Sequence, residues 1–343
     1  MDKTIRGRSD FASAVETFHF DNRIAAERIS MARAARVIAS TEQERAEQYA
    51  HRLYRGAVDP QTRGKFAVIP PGVNLEIFGA DRRSESEDRV IERIGKMLDR
   101  DIPAERRELA TVVCSSRLDA KKNHLGLIRA WGVSEALRRS ANLLIVTRGV
   151  RDPLCSWDRE FRGEEREVFG QIVRQIRKSG LENCVSAFDL NSQEELAACY
   201  RYLSRCRRGI FALTSVYEPF GLAPLEAMAA GLPAVVTRNG GPRESLRDEG
   251  GAYGILVDPE DPADIARGML ELSSDESRRQ EMQRRGRRRV LDRYTWERTA
   301  RGYLAALSRI LQGGGAGNVG FAESENTDQG WLKKLYYDTE ESE

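Results

Sequence analysis

The 343 residues suffice for about two domains, and 55 basic against 53 acidic side chains leave a net charge of only +2. That balance gives no global electrostatic case for a nucleic-acid partner. Five cysteines without a C-x-x-C pair, and three histidines that do not cluster with them, exclude a zinc framework and give no disulfide scaffold.

The odd cysteine count indicates a reducing, cytoplasmic setting. Cys114, Cys184 and Cys199 fall in apolar stretches and read as small core residues. No apolar run approaches the roughly 18–20 residues of a membrane span, and the N-terminus lacks a signal-peptide core, so a soluble protein is expected. Lysine is rare beside arginine, which makes Lys121-Lys122 conspicuous. The arginines of 278–293 read as solvated helix faces.

In chain order, residues 1–20 are polar and give no clear element. Arg23 to Arg36 fits a helix, with Ile24, Ile29 and Met31 among its apolar positions. Val37-Ile38-Ala39 reads as a short strand. Thr41 followed by Glu44 is a capping-box pattern that opens a helix. Phe66 to Ile69 is a second strand, ended by Pro70-Pro71-Gly72. Residues 80–108 are charge-rich and helical, with a turn at Ile102-Pro103, and a domain boundary falls between Gly72 and Leu109.

From Leu109 the alternation is regular. Strands are expected near 109–116, 142–148, 184–188, 209–214, 234–237 and 254–257, with helices between them. This is the pattern of an α/β, doubly wound parallel sheet. No G-x-G-x-x-G follows its first strand, which counts against a dinucleotide oxidoreductase. Tyr294 to Leu311 is a last amphipathic helix. Gly313 to Gly317 is a flexible break. The acidic residues 318–343 are expected to be mostly disordered, with one short helix around Trp331–Tyr336. The domain reading is therefore 1–108, 109–311 and a tail over 312–343.

Two stretches carry the chemistry. In the first, from Phe211 to Pro242, Glu218 sits in the loop after a strand. Glu226 lies about one turn into a helix over Leu222–Ala230, which Gly231 and Pro233 stop. The N–H groups of Phe220, Gly221 and Leu222 lie near that helix start, where they can meet an anionic or hydroxyl-rich ligand. Taken alone, the two glutamates read first as surface charges of an ordinary strand–turn–helix. The second stretch, Ser115-Ser116-Arg117-Leu118-Asp119-Ala120-Lys121-Lys122-Asn123, follows the first strand of the sheet. A strand end is the expected place for a phosphate site, and Arg and Lys there can neutralise a diphosphate. On its own this stretch also reads as a solvated loop. Asn123 suits a helix cap.

Glu218-Pro-Phe-Gly-Leu through Glu226-Ala, then Gly-Leu-Pro and Asn239-Gly-Gly-Pro242, resembles the donor-sugar motif of retaining GT-B glycosyltransferases. Within these it is most similar to the bacterial-type sucrose-phosphate synthase family, a family-4, group 1 glycosyltransferase. Residues 115–123 resemble that family's S-R-x-D-x-K-K-N segment. The resemblance runs from about Phe18 to Leu311 and is most specific at 115–123 and 211–242.

It implies a GT-B fold with a complete C-terminal Rossmann-like domain and the end of an N-terminal one. Val68 to Val73 would be a crossing between them. Arg117 and Lys122 would hold the nucleotide diphosphate and act in catalysis with Glu218. Glu218 would contact the donor sugar and Glu226 the ribose, while Phe220, Gly221 and Leu222 would belong to the donor-binding set, the helix-terminal N–H groups aiding the diphosphate. Phe18 to Arg28 resembles the acceptor side, making Arg23 and Arg28 candidates for an acceptor phosphate, though they read equally well as helix-surface charges.

The implied reaction is metal-independent and uses no cofactor. It transfers glucose from UDP-glucose to fructose 6-phosphate with retention. The alternatives are a GDP-mannose-dependent transferase and a non-catalytic nucleotide-sugar-binding fragment. Members of the family carry an entire N-terminal Rossmann domain, and this chain matches only its end. His19, His51 and His124 do not occupy the position of the family's acceptor-domain histidine. Either the reading frame is truncated or the chain is a remnant, and an upstream segment or a separate chain would supply the missing domain.

Overall fold

The computed structural model of the chain describes residues 19–82 and 87–312. The expectations made for residues 1–18 and for the tail beyond Gln312 lie outside them.

Chain contacts divide the protein into two units. The first comprises residues up to Pro70 together with those from Ala300 on, and the second runs from Pro71 to Thr299. In the first unit α1 (Phe20–Arg33) leads into β1 (Val37–Ala39), which pairs in parallel with β2 (Phe66–Val68). The capping pattern is realised: Glu44 N–H donates to Thr41 Oγ1 at 2.9 Å, while the Glu44 carboxylate accepts from Ser40 N–H at 2.6 Å. The helix it opens is a short wide turn over Glu44–Gln48. The buried core of this unit is small, built on Ile24, Met31, Leu53 and Tyr54.

The second unit holds α2 (Leu75–Phe78), α3 (Glu87–Asp101) and then a six-stranded parallel sheet. Its strands are β3 (Ala110–Ser115), β4 (Ala141–Thr147), β5 (Val185–Asp189), β6 (Ile210–Leu213), β7 (Ala234–Thr237) and, after the small hairpin β8 (Arg247–Asp248) and β9 (Gly251–Ala252), β10 (Ile255–Val257). All six fall where the apolar runs predict them.

The helices that follow are α4 (His124–Val133), α5 (Glu135–Ser140), α6 (Pro153–Glu160), α7 (Gly163–Lys178) and α8 (Gln193–Cys206). They continue with α9 (Leu222–Ala229), α10 (Pro242–Ser245), α11 (Pro262–Ser273), α12 (Glu276–Arg293) and α13 (Trp296–Gln312). The predicted last helix therefore begins two residues later than Tyr294.

Successive strand residues point to opposite faces. Val112, Cys114, Leu143 and Ile145 pack against α4, α7 and α11, whereas Val113, Leu144 and Val146 pack against α3, α8 and α9. Helices thus cover both faces, which is why the strands read as continuous apolar runs. The strand order is β10-β7-β6-β3-β4-β5. The chain winds outward from β3 in one direction, then returns to β6 on its other side and winds outward again. The strand order reverses between β3 and β6, and loops leaving their carboxyl ends diverge to leave a crevice there.

Candidate active site

The two sequence stretches singled out above are the loops that flank this crevice. The loop after β3 carries Ser115 to Asn123, and the loop after β6 carries Thr214 to Gly221. They are bonded to each other. Lys122 Nζ lies 2.8 Å from Glu218 Oε2, and the two side chains are only 19% and 14% exposed. Val216 N–H donates to the Lys121 carbonyl at 2.9 Å. Asn123 Nδ2 donates to the carbonyls of Thr214 (3.1 Å) and Pro259 (2.7 Å), tying three loops together.

Local chemistry explains the placement of Lys122. Asp119 caps a short 3-10 turn over Ala120–Lys122, its carboxylate accepting the Lys122 N–H at 3.1 Å. Asn123 then takes a left-handed conformation (φ 53°) that asparagine tolerates better than most residues. Its Oδ1 accepts the Gly126 N–H at 3.1 Å, so it also caps α4 as its sequence position suggests. The turn projects Lys122 across the crevice. Arg117 lies outside that arrangement: its side chain is 85% exposed, 3.5 Å from the Asp119 carboxylate.

Glu218 is fixed from its backbone. Its N–H donates to the Asn239 carbonyl at 3.1 Å, and its carbonyl accepts from Gly241 N–H at 3.0 Å. Asn239 Nδ2 donates to the Val216 carbonyl at 2.9 Å. The Gly240-Gly241 pair is what lets the segment after β7 approach. A Cβ on Gly240, whose φ is 101°, would fall 2.1 Å from the Glu218 carbonyl oxygen. Only glycine satisfies both the positive φ and the close contact.

Gly221 (φ 90°) is the N-cap of α9, and no side chain caps that helix end. The N–H groups of Phe220, Gly221 and Leu222 therefore lie beside Glu218 at a helix start that carries partial positive charge. The Glu226 carboxylate, on α9, accepts no hydrogen bond among the described residues, and burial raises its carboxyl pKa above the ordinary carboxylate range.

Three further polar groups line the base of the β3 loop. His124 is 2% exposed, its Nε2 is 3.1 Å from Ser116 Oγ, and its Nδ1 has no hydrogen-bond partner among the described residues. Burial pushes its pKa down to about 4, so it is neutral at neutral pH. Burial likewise pushes the Cys114 thiol up to about 12, which removes it as a nucleophile. Neither His124 nor Ser116 was a sequence candidate. A lone histidine after an asparagine cap carries no pattern, and only the fold shows it beneath the loop.

In the first unit, Arg28 Nη1 donates to the carbonyls of Leu53 (2.6 Å) and Arg55 (3.0 Å), and Arg23 is exposed on α1. The structure thus brings Lys122, Glu218, Phe220, Gly221, Leu222 and Glu226 to one crevice, leaves Arg117 extended at its rim, and commits Arg28 to backbone acceptors. Among the described residues no group of three or more His, Cys, Asp or Glu side chains is gathered as metal ligands would be. No helix among them is long and apolar enough to cross a membrane.

A doubly wound sheet with paired cationic and acidic loops at its reversal point is the Rossmann-like domain of a GT-B-type fold. Residues 96–289 match the family Glycosyl transferases group 1, and the chain belongs to that family. It is similar to a probable sucrose-phosphate synthase of Thermosipho melanesiensis, 36% identical over 296 residues, covering 86% of this chain and 59% of that one. It is also similar to a sucrose synthase of Denitrovibrio acetiphilus, 32% identical over 310 residues, covering 82% of this chain and 38% of that one.

Among solved structures, a sucrose-phosphate synthase from Thermosynechococcus elongatus superposes with a TM-score of 0.61 at 25% identity, covering 85% of this chain and 62% of that one. Anabaena HepE, solved with UDP and glucose, shares the fold with a TM-score of 0.62 at 20% identity, covering 85% and 68%. The chain therefore spans about six-tenths of the Thermosipho relative it matches.

Proposed function

We propose that the crevice binds a nucleotide sugar and that the protein transfers its hexosyl group with retention of anomeric configuration, UDP-glucose being the donor and fructose 6-phosphate the acceptor. The observation that carries this reading is the Lys122–Glu218 pair, held across the sheet's reversal point by two loops whose sequences resemble the family's donor-site segments. The sucrose-phosphate synthase relatives and the UDP complex of the Anabaena structure support the choice of donor.

In this reading Lys122 and Arg117 take the diphosphate, Glu218 accepts hydroxyls of the sugar, and Glu226 accepts those of the ribose. The donor C1–O bond breaks with its electron pair passing to the diphosphate. The acceptor hydroxyl bonds to C1 from the same face, and its proton passes to the departing diphosphate oxygen. Charge grows on that oxygen as the bond breaks. Lys122, Arg117 and the N–H groups at the start of α9 stabilise it there, an electrostatic contribution that is largest in the transition state.

Lys122 and Glu218 neutralise each other, and a bound donor would offer each a better partner. Arg23 is the freer of the two acceptor-phosphate candidates, since Arg28 would have to release the Leu53 and Arg55 carbonyls. The domain division 1–108, 109–311 and 312–343 is part of this proposal, with 1–108 belonging to the acceptor side.

A second reading is a nucleotide-sugar-binding protein whose acceptor side is supplied by a longer chain or a separate one. The coverage of 59% of the Thermosipho relative favours it. Calorimetry with UDP, UDP-glucose and GDP, with and without EDTA, tests the donor site. Assay of UDP release with fructose 6-phosphate tests transfer. Failure to bind UDP or GDP overturns both readings. Binding without acceptor-dependent turnover leaves the second alone.

A further inference from the structure

A cationic cleft lies at the opposite end of the sheet's strands. It is formed by the end of α8 and the first half of α12. Glu276, Arg279, Gln283, Arg284 and Arg287 recur along α12 at helical spacing and so share one face. That face looks onto Arg205 across a cleft of about 440 Å³. Ser204, beside Arg205, fixes the geometry: Gln283 Nε2 donates to its Oγ at 3.1 Å, and that Oγ donates to the Gly231 carbonyl at 2.7 Å.

Residues 204–205 precede β6 and Gly231 precedes β7. The cleft therefore sits at the amino ends of the strands, whereas Lys122 and Glu218 sit beyond their carboxyl ends. It is a separate site.

Two observations point to an anionic occupant. First, positive charge is concentrated without matching acid. Arg279 pairs with Glu276, Arg287 pairs with Asp81, and Arg208 lies 3.3 Å from Glu276. Five guanidinium groups with Arg205 and Arg284 thus meet two carboxylates, and Arg284 has no ion-pair partner among the described residues. Like charges gathered on one face repel unless something neutralises them. Second, Arg279, which lines the cleft, is 5% exposed and its Nε–H has no acceptor among the described residues. A buried guanidinium donor is ordinarily hydrogen-bonded.

We propose that this cleft binds a small phosphorylated molecule, its phosphate oxygens held by Arg205, Arg284 and Arg287 in the forked geometry that guanidinium offers.

The probes are inorganic pyrophosphate and inorganic phosphate, titrated calorimetrically into the full chain at low ionic strength. Arg205 and Arg284 are exposed, so the double variant Arg205→Gln/Arg284→Gln keeps the fold, and an unchanged melting temperature without ligand checks this. Lys122→Ala removes the donor-site lysine instead. The expected result is pyrophosphate binding that persists in Lys122→Ala and weakens at least tenfold when the two arginine substitutions are added to Lys122→Ala. Three results overturn the proposal: no binding of either anion to the wild type, loss of all binding in Lys122→Ala, or unchanged affinity when the arginine substitutions are added to Lys122→Ala. None of these depends on whether the donor site transfers a sugar.

Discussion

Lys122 and Glu218 are 96 positions apart in the chain, yet their side chains meet at 2.8 Å, one from each loop that flanks the reversal of the sheet. Each is mostly shielded from water, so the pair is stronger than a surface ion pair and its members are held in place. A ligand that enters here must replace the pair with contacts at least as good. That requirement suits a diphosphate on the lysine and sugar hydroxyls on the glutamate.

Separating the pair by mutation distinguishes the two roles. Lys122→Ala should weaken UDP binding about 10- to 150-fold and leave uridine binding little changed, since a charge-assisted contact contributes about 1.5–3 kcal/mol. Glu218→Gln should leave UDP affinity intact or raise it, because the internal competitor for Lys122 is gone. It should also lose the gain in affinity that glucose adds to UDP. Calorimetry on the two variants reads both effects. Equal losses of UDP affinity would show that the division of roles is wrong.

Glu226 is a half-buried carboxylate with no hydrogen-bond partner among the described residues, and its stability cost has a definite sign. Its folded pKa lies above the unfolded one. Below the ordinary carboxylate range both states are protonated and there is no cost. As pH rises through the folded pKa, the native state must hold a partly desolvated charge, and stability falls. Glu226→Gln should therefore raise the melting temperature by a few degrees at pH 7, with the gain shrinking as the solution is acidified. The same variant should bind UDP at least tenfold more weakly. A variant that is neither more stable nor weaker in binding would exclude Glu226 from the site.

His124 acts in the opposite direction. Its folded pKa of about 4 lies below the ordinary value near 6.5. Neutral-form stability is fully present above the unfolded value and is lost as pH falls towards 4, by up to about 3 kcal/mol. Denaturant titrations of the wild type and His124→Leu at pH 7 and 4.5 compare the two. The wild type should lose stability relative to the variant at the lower pH. Parallel profiles would show that His124 takes up its proton without penalty.

Residues around β1 and β2 should open more readily than the main sheet. They form three parallel residue pairs over a small core, whereas β3 and β4 form six pairs with nearly every side chain buried. Two-stranded sheets are marginal by themselves. Hydrogen exchange should find Ile38 and Ala67 amides at least 100-fold less protected than those of Val113 and Ile145. Equal protection would mean that the first unit is stabilised as strongly as the second.

The sequence by itself determined the sheet. Six apolar runs separated by helix-length polar segments can satisfy their backbones and bury their side chains only as a parallel sheet covered on both faces. The local turn chemistry was equally legible: Asn123 caps α4, Thr41 and Glu44 bond as a capping box, and Gly231 ends α9, because each depends on neighbours a few residues away. The tertiary structure alone decided what meets across distance. It joined Lys122 to Glu218 and set Asn239 and Gly240 against the Glu218 backbone. It placed His124 beneath the β3 loop and turned Arg117 outward from it. It also overruled one local reading. The arginines of 278–293 were expected on solvated faces, yet Arg279 and Arg289 are buried, at 5% and 7% exposure. Helical periodicity says which arginines share a face, but only packing against α8 and the β8 segment says which face is covered.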